Sequence, residues 1–461
     1  MNRATHVAWF ISILFTLGAC PGPRTPSVPA ASPLTVAIGR GGGSLRGVAG
    51  DGTLTFAAIT IVPTDAASGA PLPGADAPPA PTSTVVEARR GDTIAWTQTL
   101  AGSGGPMAAT AGLVVATFTG TGRVGVRELT DRAPANPALR GEPGAALVAF
   151  DAAAGTVRWR TTLDASEWCV VAAMAPAPDG IIVGGSFSGS LRIRDRVVAS
   201  GGRSDGFVAK LTATGEIAWL VRVGGGGPDA VQGVAVRGPR IAIAGTFASG
   251  ADLLGHELPA FDDKSPYADA FVAVLDATGA RTWSATFGGK LAETVAGVAI
   301  DETGRVAIAA NARDTIHVGG SDLVANGPAD GMVAWWTKDG TASHSVLIGG
   351  SDFDGLRAII AIGERFIVGG FFSGTITLGG RTIAAGGGDD AFLAALDAKG
   401  DVVDAWEVSG AGREEVTALS AIPGGFIAGV AYTAAAVVGG AALAEPKDPL
   451  GGAALVVRPV R

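Results

Sequence analysis

Apolar and polar residues alternate along most of this chain in runs of about 5–8 residues, separated by glycine, aspartate and proline. Runs of this length that are rich in valine, isoleucine and phenylalanine predict β-strands, and the period that predicts amphipathic helices is missing. Residues 232–247 (QGVAVRGPRIAIAGTF) and 271–283 (FVAVLDATGARTW) each contain two such runs joined by a turn. The pattern therefore predicts an all-β protein.

An apolar strand, a turn with glycine and a tryptophan form a motif that recurs along the chain. It appears at 207–219 and 271–283 and recurs at 147–159 and 85–96, and weaker copies are 332–344 and 392–406. The turn glycines (Gly91, Gly155, Gly215, Gly279, Gly340 and Gly400) are 64, 60, 64, 61 and 60 residues apart. A second motif of two strands, a GVAV type and an IAIAG type, lies between these copies. Each repeat of about 62 residues thus predicts four strands.

Four strands in each of 4–8 repeats are typical of a β-propeller. Residues 34–461 have room for about seven repeats. The run 34–38 (LTVAI) takes the place of a tryptophan strand, and 455–458 (LVVR) takes the place of an FVAKL-type strand. We therefore predict a seven-bladed propeller with four-stranded blades, in which the N- and C-terminal strands pair in one blade and close the ring.

The first 33 residues predict export and anchoring rather than a blade. Arg3 precedes an apolar run at 7–17, which is too short to cross a bilayer, for which about 20 residues are needed. The run ends in Leu17-Gly18-Ala19-Cys20, which resembles the lipobox of bacterial lipoproteins. That resemblance implies a signal peptide at 1–19 that is cleaved before Cys20, a diacylglycerol on the Cys20 thiol and an acyl group such as palmitate on the new amine. The alternative is an ordinary signal peptide with a chance cysteine. Residues 20–33 are expected to form the lipidated, proline-rich tether.

The residue after Cys20 bears on which bacterial membrane would hold the lipoprotein. Pro21 stands where aspartate would retain an enteric-type lipoprotein in the inner membrane, so the resemblance implies outer-membrane sorting. Once Cys20 is acylated, Cys169 has no partner for a disulfide within the chain.

The repeats resemble the SBBP-type β-propeller repeats of bacterial envelope proteins, in which phrases such as DAFVAKLDATG…W recur at about this period. The strongest matches are 204–256 and 268–320, and the proline-rich insertion at 60–83 departs most. Residues 149–159 (AFDAAAGTVRW) are also similar to the propeller repeat of pyrroloquinoline-quinone proteins.

Composition narrows the function. The chain has 461 residues with 71 glycines, 47% hydrophobic residues and a net charge of -8. This balance predicts a folded, turn-rich chain, and without a basic stretch it argues against a nucleic-acid partner.

Two sets of acidic residues precede predicted strands. Asp229, Glu293, Asp354 and Glu414 precede the GVAV-type strands. If these strands are innermost, the four carboxylates lie around the mouth of a central channel as a candidate ligand or cation site; the alternative is that they cap loop amides or are solvated. A second set precedes the FVAKL-type strands and predicts turn or capping residues: Asp205, Asp269, Asp330 and Asp390.

The tryptophans predict wedges between blades, because they recur once per repeat. Trp335 and Trp336 break this pattern, and we expect one of them to face outward as a contact point. His344 occupies a tryptophan position and is expected to be packed. No nucleophile with a base, phosphate loop or cofactor motif is evident, so no catalytic residue, metal or cofactor is predicted.

These observations predict a membrane-anchored lipoprotein of the bacterial cell envelope, not an enzyme, whose propeller binds or scaffolds a protein or glycan partner. Loops 60–83, 129–146 and 248–268 are the candidate contact regions. The alternatives are an outer-membrane-assembly-type propeller lipoprotein, although its relatives use shorter repeats, and a quinoprotein-like enzyme, which lacks support from adjacent cysteines.

Overall fold

A computed structural model describes residues 34–38, 43–61, 83–91, 93–110, 112–119, 144–261, 267–438, 441–443 and 452–459. The predicted signal peptide, Cys20 and the tether lie outside these residues, as do most of loops 60–83 and 129–146. The described residues belong to one compact unit, Pro33–Arg461. Within the described part of the chain, no helix is long and apolar enough to cross a membrane.

Short β-strands, numbered from the N-terminus, make up the regular structure of the described residues. The first thirteen are β1 Leu34–Ile38, β2 Gly43–Gly50, β3 Thr55–Ile61, β4 Ser83–Arg90, β5 Thr93–Ala101, β6 Ser103–Thr110, β7 Leu113–Thr119, β8 Ala145–Asp151, β9 Val157–Ala165, β10 Trp168–Ala177, β11 Gly180–Ser188, β12 Ser190–Ile193 and β13 Arg196–Ala199. The next thirteen are β14 Asp205–Thr212, β15 Ile217–Gly224, β16 Ala230–Arg237, β17 Arg240–Phe247, β18 Asp252–Leu253, β19 Asp269–Leu275, β20 Arg281–Gly289, β21 Thr294–Ile300, β22 Val306–Ala312, β23 Thr315–Val318, β24 Ser321–Val324, β25 Asp330–Trp336 and β26 Ala342–Ile348. The last eleven are β27 Gly355–Ile362, β28 Arg365–Phe372, β29 Thr375–Leu378, β30 Arg381–Ala384, β31 Asp390–Leu396, β32 Val402–Gly410, β33 Glu414–Ile422, β34 Gly425–Tyr432, β35 Ala436–Val438, β36 Ala441–Ala442 and β37 Gly452–Pro459.

Six antiparallel sheets each take their four main strands from one continuous part of the chain. We number them sheet 1 (β2–β3–β4–β5), sheet 2 (β6–β7–β8–β9), sheet 3 (β10–β11–β14–β15), sheet 4 (β16–β17–β19–β20), sheet 5 (β21–β22–β25–β26) and sheet 6 (β27–β28–β31–β32). The four strand types predicted from the repeat supply the first to fourth strands in this order. First strands of neighbouring sheets contact each other, so the GVAV-type strands are innermost. The chain is therefore an all-β propeller with four-stranded blades.

One further four-stranded sheet, sheet 7, combines both ends of the chain. Its order is β33–β34–β37–β1. Strand β1 pairs antiparallel with β37, with Leu34 opposite Val457 and Ile38 opposite Ala453. The strand near the N-terminus is thus the fourth strand of a sheet begun at Glu414.

The core lies between the sheets. Buried apolar side chains form clusters that are each shared by two neighbouring sheets, such as Val272 and Trp283 of sheet 4 with Val298 and Met332 of sheet 5. Both faces of most blades are therefore covered, which explains why third strands such as β19 and β31 are apolar at nearly every position.

Short hairpins link successive sheets. The hairpin after a second strand crosses to the preceding sheet and pairs with its fourth strand: β12 with β9, β18 with β15, β23 with β20 and β35 with β32. These added strands cover the outer edge of the preceding sheet, which would otherwise expose unpaired backbone groups.

Candidate functional site

The four predicted carboxylates lie where first strands begin. Asp229, Glu293 and Asp354 directly precede β16, β21 and β27, and Glu414 begins β33. We call this end of the sheets the acidic end. All four residues are buried rather than presented to solvent. The structure does not bring them together: in the described part of the chain, no group of three or more His, Cys, Asp or Glu side chains is suited to hold a metal ion.

Each carboxylate instead lies beside an acid of the preceding sheet. The N–H of the second acid donates to the carbonyl of the residue before the first acid, over 2.9 Å from Asp229 to Ser204 and 2.7 Å from Glu414 to Asp389. In every case the two acids are 24 residues apart in the sequence. The pairs are Asp205–Asp229, Asp269–Glu293, Asp330–Asp354 and Asp390–Glu414. Four consecutive sheet junctions, from sheets 3 and 4 to sheets 6 and 7, thus contain a buried acidic pair.

The two aspartates of the predicted site hold loops. Asp229 accepts hydrogen bonds from the N–H groups of Gly225 and Ala248, both over 2.8 Å. Asp354 accepts them from Gly350 over 2.6 Å and from Ser373 over 3.0 Å. Burial raises the pKa of Asp229 to about 6 and also raises the pKa of Asp354. These carboxylates fix the loop before the first strand and the segment that follows the second strand.

The two glutamates are less well partnered. Oε2 of Glu293 and both carboxyl oxygens of Glu414 are buried without a hydrogen-bond donor. Burial, together with the neighbouring Asp269 and Asp390, raises the pKa of each glutamate to about 8. Both carboxyl groups therefore retain a proton at neutral pH.

The first acid of each pair is a capping residue, as predicted. Asp205 accepts hydrogen bonds from Ser200 Oγ over 2.9 Å and from Gly201 N–H over 3.1 Å. Asp330 and Asp390 each accept a loop N–H four residues earlier, and Asp269 accepts one eight residues earlier. Asp205 also pairs with the guanidinium of Arg222, at 2.8 Å.

Glycines at the end of the fourth strands make room for these acids. A Cβ at Gly288 would lie 2.0 Å from Asp269 Oδ1, and one at Gly349 would lie 2.2 Å from Asp330 Oδ1. At Gly224, whose φ is 146°, a Cβ would lie 2.6 Å from Asp229 Oδ2. The first glycine of each Gly-Gly sequence is thus required by close approach of a carboxylate, and the second, as at Gly289 beside Thr315 O at 2.3 Å, by close approach of a backbone carbonyl.

The two N-terminal junctions do not contain a buried acidic pair in the described residues. Between sheets 1 and 2, Thr60 Oγ1 lies 3.1 Å from Thr84 Oγ1, which donates to the carbonyl of Gly102 over 2.8 Å. Gly104 N–H donates to Thr60 Oγ1 over 2.9 Å. Between sheets 2 and 3, Glu167 holds the position of Asp229 but is exposed and hydrogen-bonded to Ser188.

The recurring tryptophans join neighbouring sheets, as predicted. The indole N–H of Trp159 donates to the carbonyl of Ala213 over 2.8 Å, and that of Trp283 donates to Lys338 over 3.0 Å. Each ring covers the turn glycine of the next sheet: a Cβ at Gly215 would lie 2.6 Å from Trp159, and at Gly340 2.8 Å from Trp283. These glycines have positive φ and lack a side chain where the indole packs.

The prediction that Trp335 or Trp336 faces outward is wrong. Their exposed fractions are 0% and 2%. Trp335 stacks on His344 with ring centroids 4.3 Å apart, and Trp336 packs against Phe287. The two side chains do point to opposite faces of β25, but a neighbouring sheet covers each face. His344 is packed, as predicted for its tryptophan position.

Large apolar side chains are exposed at the acidic end, and sequence reasoning missed them. Trp168 and Val170 share one face of β10, with exposed fractions of 40% and 45%. Phe353, directly before Asp354, is 45% exposed, and its ring centroid lies 5.6 Å from that of Phe371. The signal available in the sequence was the place of Trp168, which begins a first strand instead of occupying the recurring position in a fourth strand.

Cys169, the second cysteine, is buried between Trp168 and Val170 in the strand. It forms no disulfide, and burial raises the pKa of its thiol to about 12. The thiol is therefore a poor nucleophile and acceptor for modification.

The chain matches no family model, and no curated protein matches it. Solved structures similar to it include a europium-containing methanol dehydrogenase, with 12% identity over 92% of this chain and 93% of that chain and a TM-score of 0.39. The β-propeller domain of the trilobed protease from Pyrococcus furiosus has 9% identity over 90% and 98%, with a TM-score of 0.45. Sqt1 from Saccharomyces cerevisiae has 8% identity over 92% and 98%, with a TM-score of 0.44. At these scores the similarities carry no argument about function.

Proposed function

We propose that this chain is a lipid-anchored lipoprotein of the bacterial cell envelope whose propeller is a non-enzymatic binding or scaffolding module. The acidic end is the face that receives a protein or glycan partner. The observation that carries this proposal is the exposure of Trp168, Val170 and Phe353 there. Exposed aromatic and apolar side chains of this size are typical of interaction surfaces.

The buried acids have structural roles in this proposal, which assigns no catalytic residue. Asp229 and Asp354 use both carboxylate oxygens on loop amides. Phe353 is then presented on the loop that Asp354 holds, whereas Trp168 and Val170 are presented on strand β10. A rigid scaffold of this kind favours partner recognition.

A photocrosslinking amino acid tests the binding face. It replaces Trp168 or Phe353 in one pair of full-length variants, and Ile94 or Val403 in a control pair. Ile94 and Val403 are similarly exposed but begin fourth strands at the opposite end of the sheets. In intact cells, we expect adducts from positions 168 and 353 and none from 94 and 403. Equal adducts at all four positions, or none at any, would contradict the assigned face.

We also infer that sheet 7 is the seventh blade and that it closes the ring. Two contacts support this inference. Strand β33 contacts β2, the first strand of sheet 1. Ile427 of β34 packs with Leu45, Val48, Ala57 and Ile59 of sheet 1. The SBBP-type resemblance of the repeats accords with such a propeller on an envelope protein.

The proposed anchor is an acyl group on Cys20, and the two cysteines provide a matched test. Metabolic labelling with an alkyne palmitate should label the parent chain and Cys169→Ser, but not Cys20→Ser. Label that survives in Cys20→Ser would exclude the lipobox. Density-gradient separation of the membranes then tests the outer-membrane location, and protease treatment of intact cells tests whether the propeller faces outward.

A further inference from the structure

Charge compensation differs among the four acidic pairs. At the junction between sheets 3 and 4, Arg222 of β15 lies opposite Phe207 of β14 and pairs with Asp205. The residues in the same register of the next three sheets are Thr286, Leu347 and Glu407. None of these is a cation. The position equivalent to Arg222 therefore carries no guanidinium in the other three pairs.

The last pair, Asp390–Glu414, is the most deeply buried of the three. Both residues have an exposed fraction of 0%. Asp390 Oδ2 accepts the N–H of Gly386 over 3.0 Å, but Asp390 Oδ1 and both oxygens of Glu414 are buried without a donor. The two residues adjoin each other across the boundary between sheet 6 and sheet 7, where Glu414 N–H donates to the carbonyl of Asp389 over 2.7 Å and the Glu414 carboxyl interacts with that of Asp390.

The charged residues near this pair form ion pairs with other residues. The Arg413 guanidinium binds Asp389, with Nε at 2.9 Å from Oδ2. Glu415 pairs with Arg357 over 3.3 Å, and Glu407 lies 3.8 Å from Arg381. Tyr432, opposite Glu414 on β34, is neutral because burial raises the pKa of its phenol. No positive group in the described surroundings is left to neutralise two carboxylates.

We propose that Asp390 and Glu414 share one proton and form a proton-dependent contact between sheets 6 and 7, which weakens when the proton leaves. Two ionised carboxylates in contact repel each other, whereas a carboxyl group donates a hydrogen bond to its carboxylate neighbour. The contact adjoins sheet 7, which contains β1 and β37. Loss of the proton therefore loosens the part of the propeller built from both ends of the chain.

The direction of the pH effect follows from the pKa of Glu414, which rises from 4.5 to about 8. The folded state binds the proton more tightly than the unfolded state does. The stabilisation is fully present below pH 4.5 and is lost as the pH rises through about 8. The same direction holds for Glu293, so both pairs make the propeller less stable toward alkaline pH.

The test compares the melting temperature of the full-length chain with those of Glu414→Gln and Glu415→Gln between pH 5.5 and 9. Glutamine keeps the shape and supplies a permanent N–H donor to Asp390. We expect the parent to lose several degrees over this range, Glu415→Gln to follow the parent, and Glu414→Gln to lose less and to be the most stable at pH 9. If the melting temperature of Glu414→Gln falls with pH as steeply as that of the parent, the proposal is overturned.

Asp390→Asn serves as a second variant, since it also removes the repulsion from the other side of the contact. Its slope should match that of Glu414→Gln. Calcium separates a shared proton from a bound cation: addition of CaCl2 at pH 9 should not raise the melting temperature of the parent. A rise in the parent that is absent from Glu414→Gln overturns the proposal in favour of a cation between the two carboxylates.

Discussion

The junction between sheets 1 and 2 and the junctions from sheet 3 onward occupy equivalent places in the fold, but their chemistry is opposite. The former buries the hydroxyls of Thr60 and Thr84, each with hydrogen-bond partners. The latter bury pairs of carboxyl groups, and at the junction between sheets 3 and 4 Arg222 pairs with one of them. A repeat can therefore keep its backbone arrangement while its buried polar groups change from neutral to ionisable. Only the ionisable version makes the stability of the junction depend on pH.

What the two regions share is the tryptophan contact, and its removal should have the largest effect. We expect Trp283→Ala to lower the free energy of unfolding by about 3–5 kcal/mol, because a buried indole is lost from the turn glycine of the next sheet. Trp96→Ala should act in the same direction, since its indole N–H donates to Ala152 over 2.8 Å. Denaturant unfolding measures both, with the exposed Trp168→Ala as control. If Trp96→Ala left the free energy of unfolding unchanged while Trp283→Ala lowered it, the tryptophan contact would contribute unequally to stability in the two regions.

A carboxylate approaches a glycine closely at the acidic junctions, whereas Gly104 at the junction between sheets 1 and 2 meets the side chain of Thr84. Gly288→Ala places a Cβ 2.0 Å from Asp269 Oδ1, whereas Gly226→Ala meets open space. We expect Gly288→Ala to cost about 2–3 kcal/mol in unfolding free energy and Gly226→Ala to be nearly neutral. Equal stabilities of the two variants would mean that the acidic pairs are not held as tightly as the structure describes.

Removal of the Arg222 side chain should make the junction between sheets 3 and 4 resemble the other acidic junctions. In Arg222→Met, Asp205 and Asp229 lose their cation, which raises the pKa of Asp229 above its value of about 6. We expect a loss of about 2 kcal/mol at pH 8 and a smaller loss at pH 5, where Asp229 is protonated in both chains. Urea unfolding at the two pH values measures the difference. Arg237→Met, on an exposed surface, is the control, and a loss independent of pH would contradict the role of Arg222 as a counter-charge.

The smallest effect is expected at the neutral junction. Thr84→Val removes the hydroxyl that links Thr60 and Gly102, at a cost of about 1 kcal/mol. This cost should be the same at pH 5 and pH 8, in contrast to Arg222→Met. Thr377→Val, on the exposed hairpin β29–β30, provides the reference. A pH-dependent cost at Thr84 would remove the distinction between the two kinds of junction.

The strand pattern could be predicted from the sequence because the repeat is local. Each GVAV, IAIAG, FVAKL and tryptophan run lies within one sheet, and its neighbours in the chain are its neighbours in space. The acidic pairs could not be predicted, because their members belong to different sheets. Asp205 and Asp229 each stand out in the sequence, but only the stacking of sheet 3 on sheet 4 brings them into contact.

Burial is harder to predict where a strand is covered on both sides. Alternation of apolar and polar residues suggests that one face of a strand is exposed to solvent. This led to the expectation that one ring of Trp335 and Trp336 is exposed. In a propeller the sheets cover each other, and both rings are buried. Trp168 shows the opposite behaviour: its residue type suggests the core, but it is 40% exposed at the start of a first strand.

The pairing of β1 with β37 can form only late in the synthesis of the chain. Gly452 follows Ile38 by 414 positions, so β1 leaves the ribosome long before β37 and has no partner until β37 has been made. A chain that stops early lacks β37, and β1 then has no strand beside which to settle. Completion of this sheet therefore reports that the polypeptide was synthesised through β37, and shorter fragments retain an unpaired edge by which proteases can distinguish them.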